Sequence, residues 1–433
     1  MKLRDMLRSS ASNGCRSSLA IGVAMGLAGL VAAPAAFATP TYAYLQTLQI
    51  PGGVFSGYDL ATVDPTTETY YLTDRSNNGI DVYSTATNMY VERIGAGLFA
   101  GTKGGNNDIA GPNGISVTTV GAGRLLVTSD GASTVVRFNL DGAGRTVLGS
   151  PTTVSTAVSG TPTPPNRVDG VAYAPTTNTI LAANNASNPG FLTLIDNATG
   201  TVIKSIILDG TKGNPNVGGN GVEATIFNTA RGTFFVAIPS FNAAGTGAGG
   251  AVEIDPKTGA LLNTYDFNTL GLSGVCSPTG MSQGAGGVMF VACSDKTAGH
   301  SVLLDPTGAG SLKIVNGISG GDGTAYNPTL NTFYEASRFQ IGGPVLGIVD
   351  GATLALQTIA IGINDHSVAV DSNTGYVYVA TGATTAFANC STGCIGVLAP
   401  VPEPGTLPVL ATVLAGLGLI GFARRMQGGG FNQ

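Results

Sequence analysis

The chain repeats one unit of four short apolar segments, and this limits its fold more than any other feature. The clearest copy occupies 169–175, 179–184, 191–196 and 201–206, with turn residues between the segments. Each segment is the length of a short strand and rich in Val, Ile, Leu, Tyr or Phe. The unit recurs with first strands beginning near Asp59, Gly114, Gly170, Gly221, Gly280, Gly323 and His366, at spacings of 55, 56, 51, 59, 43 and 43 residues. Third strands often end in an acidic turn, as at Asp196, Asp255, Asp305 and Asp350. Seven units of four antiparallel strands predict an all-β, seven-bladed β-propeller over 39–400. The seventh unit ends at a third strand, 395–398, and lacks a fourth. A spare strand at 42–50 is expected to complete that blade, closing the ring and removing two strand edges. The long four-strand period disfavours a β-solenoid, and its regularity disfavours two separate sandwiches.

The two ends of the chain read as addresses. Lys2, Arg4, Arg8 and Arg16 precede an apolar stretch, 19–31, and then Ala36-Phe37-Ala38. This is the pattern of a cleaved signal peptide, 1–38, with Thr39 as the mature N-terminus. At the other end, Pro402-Glu403-Pro404 leads into an apolar run, 407–422, closed by Arg424 and Arg425. A turn, one apolar helix near the lower length limit of a membrane span, and an arginine cluster resemble the PEP-CTERM sorting signal over 401–426. The remaining 427–433 reads as a disordered tail. The resemblance implies export in a Gram-negative bacterium, transient inner-membrane anchoring by the helix, and processing near the Pro-Glu-Pro by an exosortase-type protease. It also implies a final place on the outer surface or in the extracellular matrix. A plain C-terminal anchor, kept uncleaved, is the alternative.

The formal charge is −5, and removing the N-terminal 38 residues (net +3) and the tail (net +1) leaves −9 for 39–400. So acidic a body, with few Lys and Arg, argues against nucleic acid or an anionic membrane surface as partner. Membrane contact is expected only through the C-terminal helix before processing. Charged residues are 10% of the chain, well below the average of about 25%. The polarity comes instead from Thr, Ser, Asn and Gly, a surface suited to carbohydrate-rich surroundings.

Cys276, Cys293, Cys390 and Cys394 remain after maturation, an even number that allows three pairings. Cys390 and Cys394 share one tight loop and are expected to pair. A turn at 284–287 places Cys276 nearly opposite the end of the second strand, so Cys276 is expected to pair with Cys293.

First strands line a propeller's channel, and their leading residues converge on one mouth. These include Asp59, Asn113, Asp169, Asn220, Asp322 and Asp365, with Glu223 pointing to the same side as Gly221. Such oxygen ligands suit Ca²⁺. They equally suit turn caps, since Asn-Gly and Asp-Gly are turn formers. His366, beside Asp365, is the candidate general base; His300 is expected in a loop. No nucleophile elbow, zinc-type histidine pair or phosphate loop occurs.

The turns at 64–72 and 371–379 resemble the Asp-Pro-x-Thr repeats of YVTN-type surface propellers, and the Asp-Gly-Val and Asn-Gly-Ile strand starts resemble the gluconolactonase and paraoxonase group. The first resemblance implies a binding or structural module, for exopolysaccharide or another surface protein. The second implies a Ca²⁺-dependent lactonase or esterase-like hydrolase using the channel ring.

Overall fold

A computed structural model describes residues 40–401 except 160–166, 219–220, 243 and 245–246. The expected signal peptide with Ala36, Ala38 and Thr39, the segment from Pro402 through Arg424 and Arg425 with its apolar helix, the 427–433 tail, and Asn220 lie outside the described residues. Among the described residues no helix is long and apolar enough to cross a membrane.

Each repeat folds as a four-stranded antiparallel sheet. Blade 1 comprises Tyr58–Asp64, Thr69–Asp74, Gly79–Ser84 and Met89–Ile94. The inner strands of blades 2 to 7 are Ile115–Val120, Val171–Ala174, Thr225–Asn228, Pro278–Gln283, Thr324–Asn327 and Ser367–Val370. Each inner strand neighbours the next, and the seventh returns to the first, so the ring is closed. His300, expected in a loop, instead opens the third strand of blade 5, His300–Asp305, and is buried.

The turns follow their chemistry. A left-handed residue precedes the second strand in several blades: Glu68, Asn178, Gly232 and Asn331. Asn and Gly take that conformation at low cost. The acidic turns after third strands cap backbone donors: Asp196 accepts from the Thr199 amide at 2.9 Å and Asp255 from the Thr258 amide at 2.7 Å.

The apolar side chains sit between blades. Among the described residues they form seven clusters, each shared by two adjacent blades. The clusters at the two sides of blade 7 explain the closure. Strand Thr41–Gln49 pairs antiparallel with Cys394–Val401, from Thr41 opposite Val401 to Gln49 opposite Cys394. It supplies the missing outer strand, as the sequence predicts. A bulge at Leu45 interrupts the register between Tyr44 and Gln46. That extra residue inverts the side-chain alternation, so Tyr42 packs with blade 6 while Leu48 packs with blade 1. The Tyr42 hydroxyl lies 2.6 Å from that of Tyr334 and donates to the Gly375 carbonyl at 3.0 Å.

Both expected disulfides are present, Cys276–Cys293 and Cys390–Cys394.

Glycines at the heads of inner strands serve the ring rather than turns. A Cβ at Gly280 would overlap the Asp322 carbonyl oxygen of the next blade, and one at Gly114 would overlap that of Asp169. Only glycine lets neighbouring inner strands approach so closely.

Candidate functional site

The inner strands all begin at one face, and a cavity of about 390 Å³ opens there. Its volume lies at the low end for small-molecule sites, about 300–1,000 Å³. Its lining runs from the rim residues Ser56 and Asn107 down to Thr62 and Ile226. Between these levels lie Asp59, Asp169, Glu223 and Asp322, with Arg75, Arg167, Arg338 and His366. The described part of the chain contains eight arginines, and three of them gather here.

Two of the three arginines stand at the same place in their blades. Arg75 follows the second strand of blade 1 and pairs with Asp59; Arg338 follows that of blade 6 and pairs with Asp322 at 2.8 Å. In both blades the arginine lies sixteen residues after the aspartate. In blade 3 the equivalent of these arginines is Asn185, sixteen residues after Asp169. Asn185 accepts from Arg167 at 2.6 Å and donates to Glu223 at 2.7 Å. Arg167 also reaches Asp169 at 3.3 Å. Neither Arg167 Nε nor Arg338 Nε has a hydrogen-bond partner in the protein.

The expected ring residues divide. Asp59, Asp169 and Asp322 come together on the cavity, as does Glu223. Asn113 does not line it. Asn113 is fully buried, donates to the Ala110 and Val168 carbonyls at 3.0 and 2.8 Å, and accepts from Arg75 at 2.6 Å. It positions the arginine from behind. Asp365 is also fully buried off the cavity, accepting from the Gly362 amide at 2.7 Å. Asn220 lies outside the described residues.

Burial, then the charge of Asp169, pushes the Glu223 carboxyl well above its ordinary range. Burial also acts on Asp169, but Arg167 and a hydrogen bond from Glu223 outweigh it and hold that carboxyl low. The pair's two carboxyls are thus pushed in opposite directions, Glu223 toward its neutral form and Asp169 toward its charged form. Burial raises Asp59 against the opposing pull of Arg75. Burial, then Arg338, lowers His366. The His366 ring is therefore neutral near pH 7, and its Nδ1 donates to the Asn364 carbonyl at 2.7 Å. Its Nε2 lies 3.6 Å from Asp59 Oδ1. Tyr58 stacks on the imidazole at 4.7 Å between ring centres, and Phe55 stacks on Tyr58. Three guanidiniums thus each face an aspartate, with Glu223 a fourth acidic group held toward its neutral form, and the cavity is dense in paired donors and acceptors.

Among the described residues no group of three or more His, Cys, Asp or Glu is arranged to hold a metal ion. Each aspartate on the cavity already faces a guanidinium, whose charge repels a divalent cation.

The PEP-CTERM protein-sorting motif matches residues 400–427. It marks an exported, exosortase-processed protein, here with a propeller body. No curated protein matches the chain in sequence. Among solved structures, the crystal structure of RRP9 WD40 repeats is similar with a TM-score of 0.57 and 10% identity, covering 84% of this chain and 99% of that one. Hydrazine synthase of Kuenenia stuttgartiensis is similar with a TM-score of 0.54 and 13% identity, covering 78% and 96%. At such identities the likeness shows the fold alone.

Proposed function

We propose that this exported propeller is a binding module of the cell surface or extracellular matrix, and that its channel cavity takes a neutral, polyhydroxylated ligand of saccharide type. The observation that carries this reading is the balanced alternation of guanidinium and carboxylate around the cavity. A sugar hydroxyl both donates and accepts, so it needs both partners side by side. A cavity whose guanidiniums are each paired with a carboxylate leaves little unbalanced charge to draw in an ion rather than a neutral ligand. The guanidiniums of Arg75, Arg167 and Arg338 and the carboxylates beside them line the cavity and supply the donors and acceptors. The Arg338 guanidinium lies 4.8 Å from the centre of the neighbouring Phe339 ring, over which Lys296 Nζ also sits at 4.8 Å. An exopolysaccharide is the ligand class that an exported surface protein meets most directly.

The Ca²⁺-dependent hydrolase, the alternative from sequence, fits these residues less well. A cation at Asp59, Asp169 or Asp322 must compete with Arg75, Arg167 or Arg338. His366 and Asp365, its candidate catalytic pair, diverge: one lines the cavity and the other is buried behind it.

A glycan array probed with the released propeller tests the proposal. Binding to neutral saccharides, lost in Arg338→Gln, is the expected result. Absence of any saccharide binding, together with a melting temperature that chelator lowers and Ca²⁺ restores, would return the assignment to the cation reading.

A further inference from the structure

We infer that the chain, while its sorting tail still holds it, stands with its cavity mouth turned away from the membrane. This rests on the reading that the apolar run 407–422 enters the bilayer, and it concerns the cavity proposed above as the ligand site.

The strand register carries the inference. In blade 7 the inner strand starts at the mouth, with Ser367 opposite Ala380, and ends at the far face, with Val370 opposite Val377. The third strand starts level with the mouth, with Cys394 opposite Thr381, and passes Leu398 opposite Val377. Its last residue, Val401, therefore leaves the blade at the face opposite the cavity. Thr41, paired with Val401, lies at that same far face.

Chain length then limits the orientation. Five residues, 402–406, separate Val401 from Leu407. The six Cα–Cα steps from Val401 to Leu407 span at most about 22 Å in any conformation. The strand Cys394–Val401 has eight residues, so its ends lie about 23 Å apart at 3.3 Å for each of seven steps. Laying the mouth on the bilayer would demand a tether drawn out almost fully along the side of the blade, whereas laying the far face there leaves Val401 beside the bilayer and the tether slack. The constraint matters because the mouth loops carry exposed Val54, Ile341 and Ile363, at 66%, 69% and 68%. Those side chains alone would favour lipid contact, and the tether keeps them clear of it. The cavity is then open to ligand both before and after the tail is cut.

Energy transfer to the bilayer tests this. The chain from Thr39 through its tail is placed in liposomes that contain an acceptor-labelled headgroup lipid. The four cysteines of the propeller are in disulfides, so one donor label can be placed by Ile363→Cys at the mouth or Ser372→Cys at the far face of the same blade. Higher transfer from position 372 than from 363 is the expected result. Equal transfer, or higher transfer from 363, overturns the orientation. A chain that does not stay with the liposomes overturns the anchoring premise and the inference with it.

Discussion

Leu48→Ala is expected to lower the melting temperature of the whole propeller by about 4–10 °C. Leu48 is only 4% exposed and packs with Ile50, Tyr83, Tyr378 and Ile395 at the junction of blades 7 and 1. Truncating a buried leucine costs about 2–5 kcal/mol, because the removed methyls lose burial and leave a cavity. In a chain of this size each kcal/mol moves the midpoint by about 2 °C. The loss should appear as a shift of the main transition, since opening the junction exposes the edges of two blades. Leu45, three residues earlier in the same strand, is the control. It sits in the bulge and is 46% exposed. Leu45→Ala should stay within about 0.5 kcal/mol, or about 1 °C. Thermal melts followed by far-ultraviolet circular dichroism supply the readout. An unchanged midpoint for Leu48→Ala, or equal losses for both variants, would refute the argument that the N-terminal strand closes the ring.

The Glu335 carboxyl is buried and pushed up from 4.5 to about 7, so the folded chain holds a proton that the unfolded chain releases. Stability from this group is present at low pH and declines as pH rises from about 4.5 through about 7; Glu335→Gln should flatten that slope in melting temperature against pH, and an unchanged slope would rule the group out as its source. The Cys276–Cys293 bridge closes 17 residues and Cys390–Cys394 closes four, so removing them as serine pairs should cost about 3 and about 2 kcal/mol by chain entropy. Urea unfolding checks the order, and a larger loss from the shorter loop would contradict it.

The fold was legible because its determinants are local. Turn residues such as Asp196 and Asn178 mark the strand ends, and the missing fourth strand after 398 points to the spare one at the N-terminus. The site was legible only in part. Asp59, Asp169, Asp322 and Glu223 reach the cavity because the inner strands begin at one face. Asn113 and Asp365 occupy similar sequence positions, but neighbouring backbone groups capture their side chains, and no sequence pattern shows that. The arginines were missed. The sixteen-residue spacing of Asp59 to Arg75 and of Asp322 to Arg338 was present in the sequence, and the blade register gives it meaning. The Asp-Gly and Asn-Gly strand starts had two readings, turn or site; the close approach of inner strands supplies a third.

Equilibrium binding of a neutral saccharide selected on the array tests the central claim most directly, with wild type measured beside Asp322→Asn and Arg338→Gln. Each substitution leaves a hydrogen-bonding group but removes one charge of the pair, so both variants should weaken binding by about tenfold or more, or 1.4 kcal/mol. Both should still melt cooperatively. Unchanged affinity in the two variants, with wild type binding the same saccharide, would place the ligand elsewhere on the propeller and contradict the account.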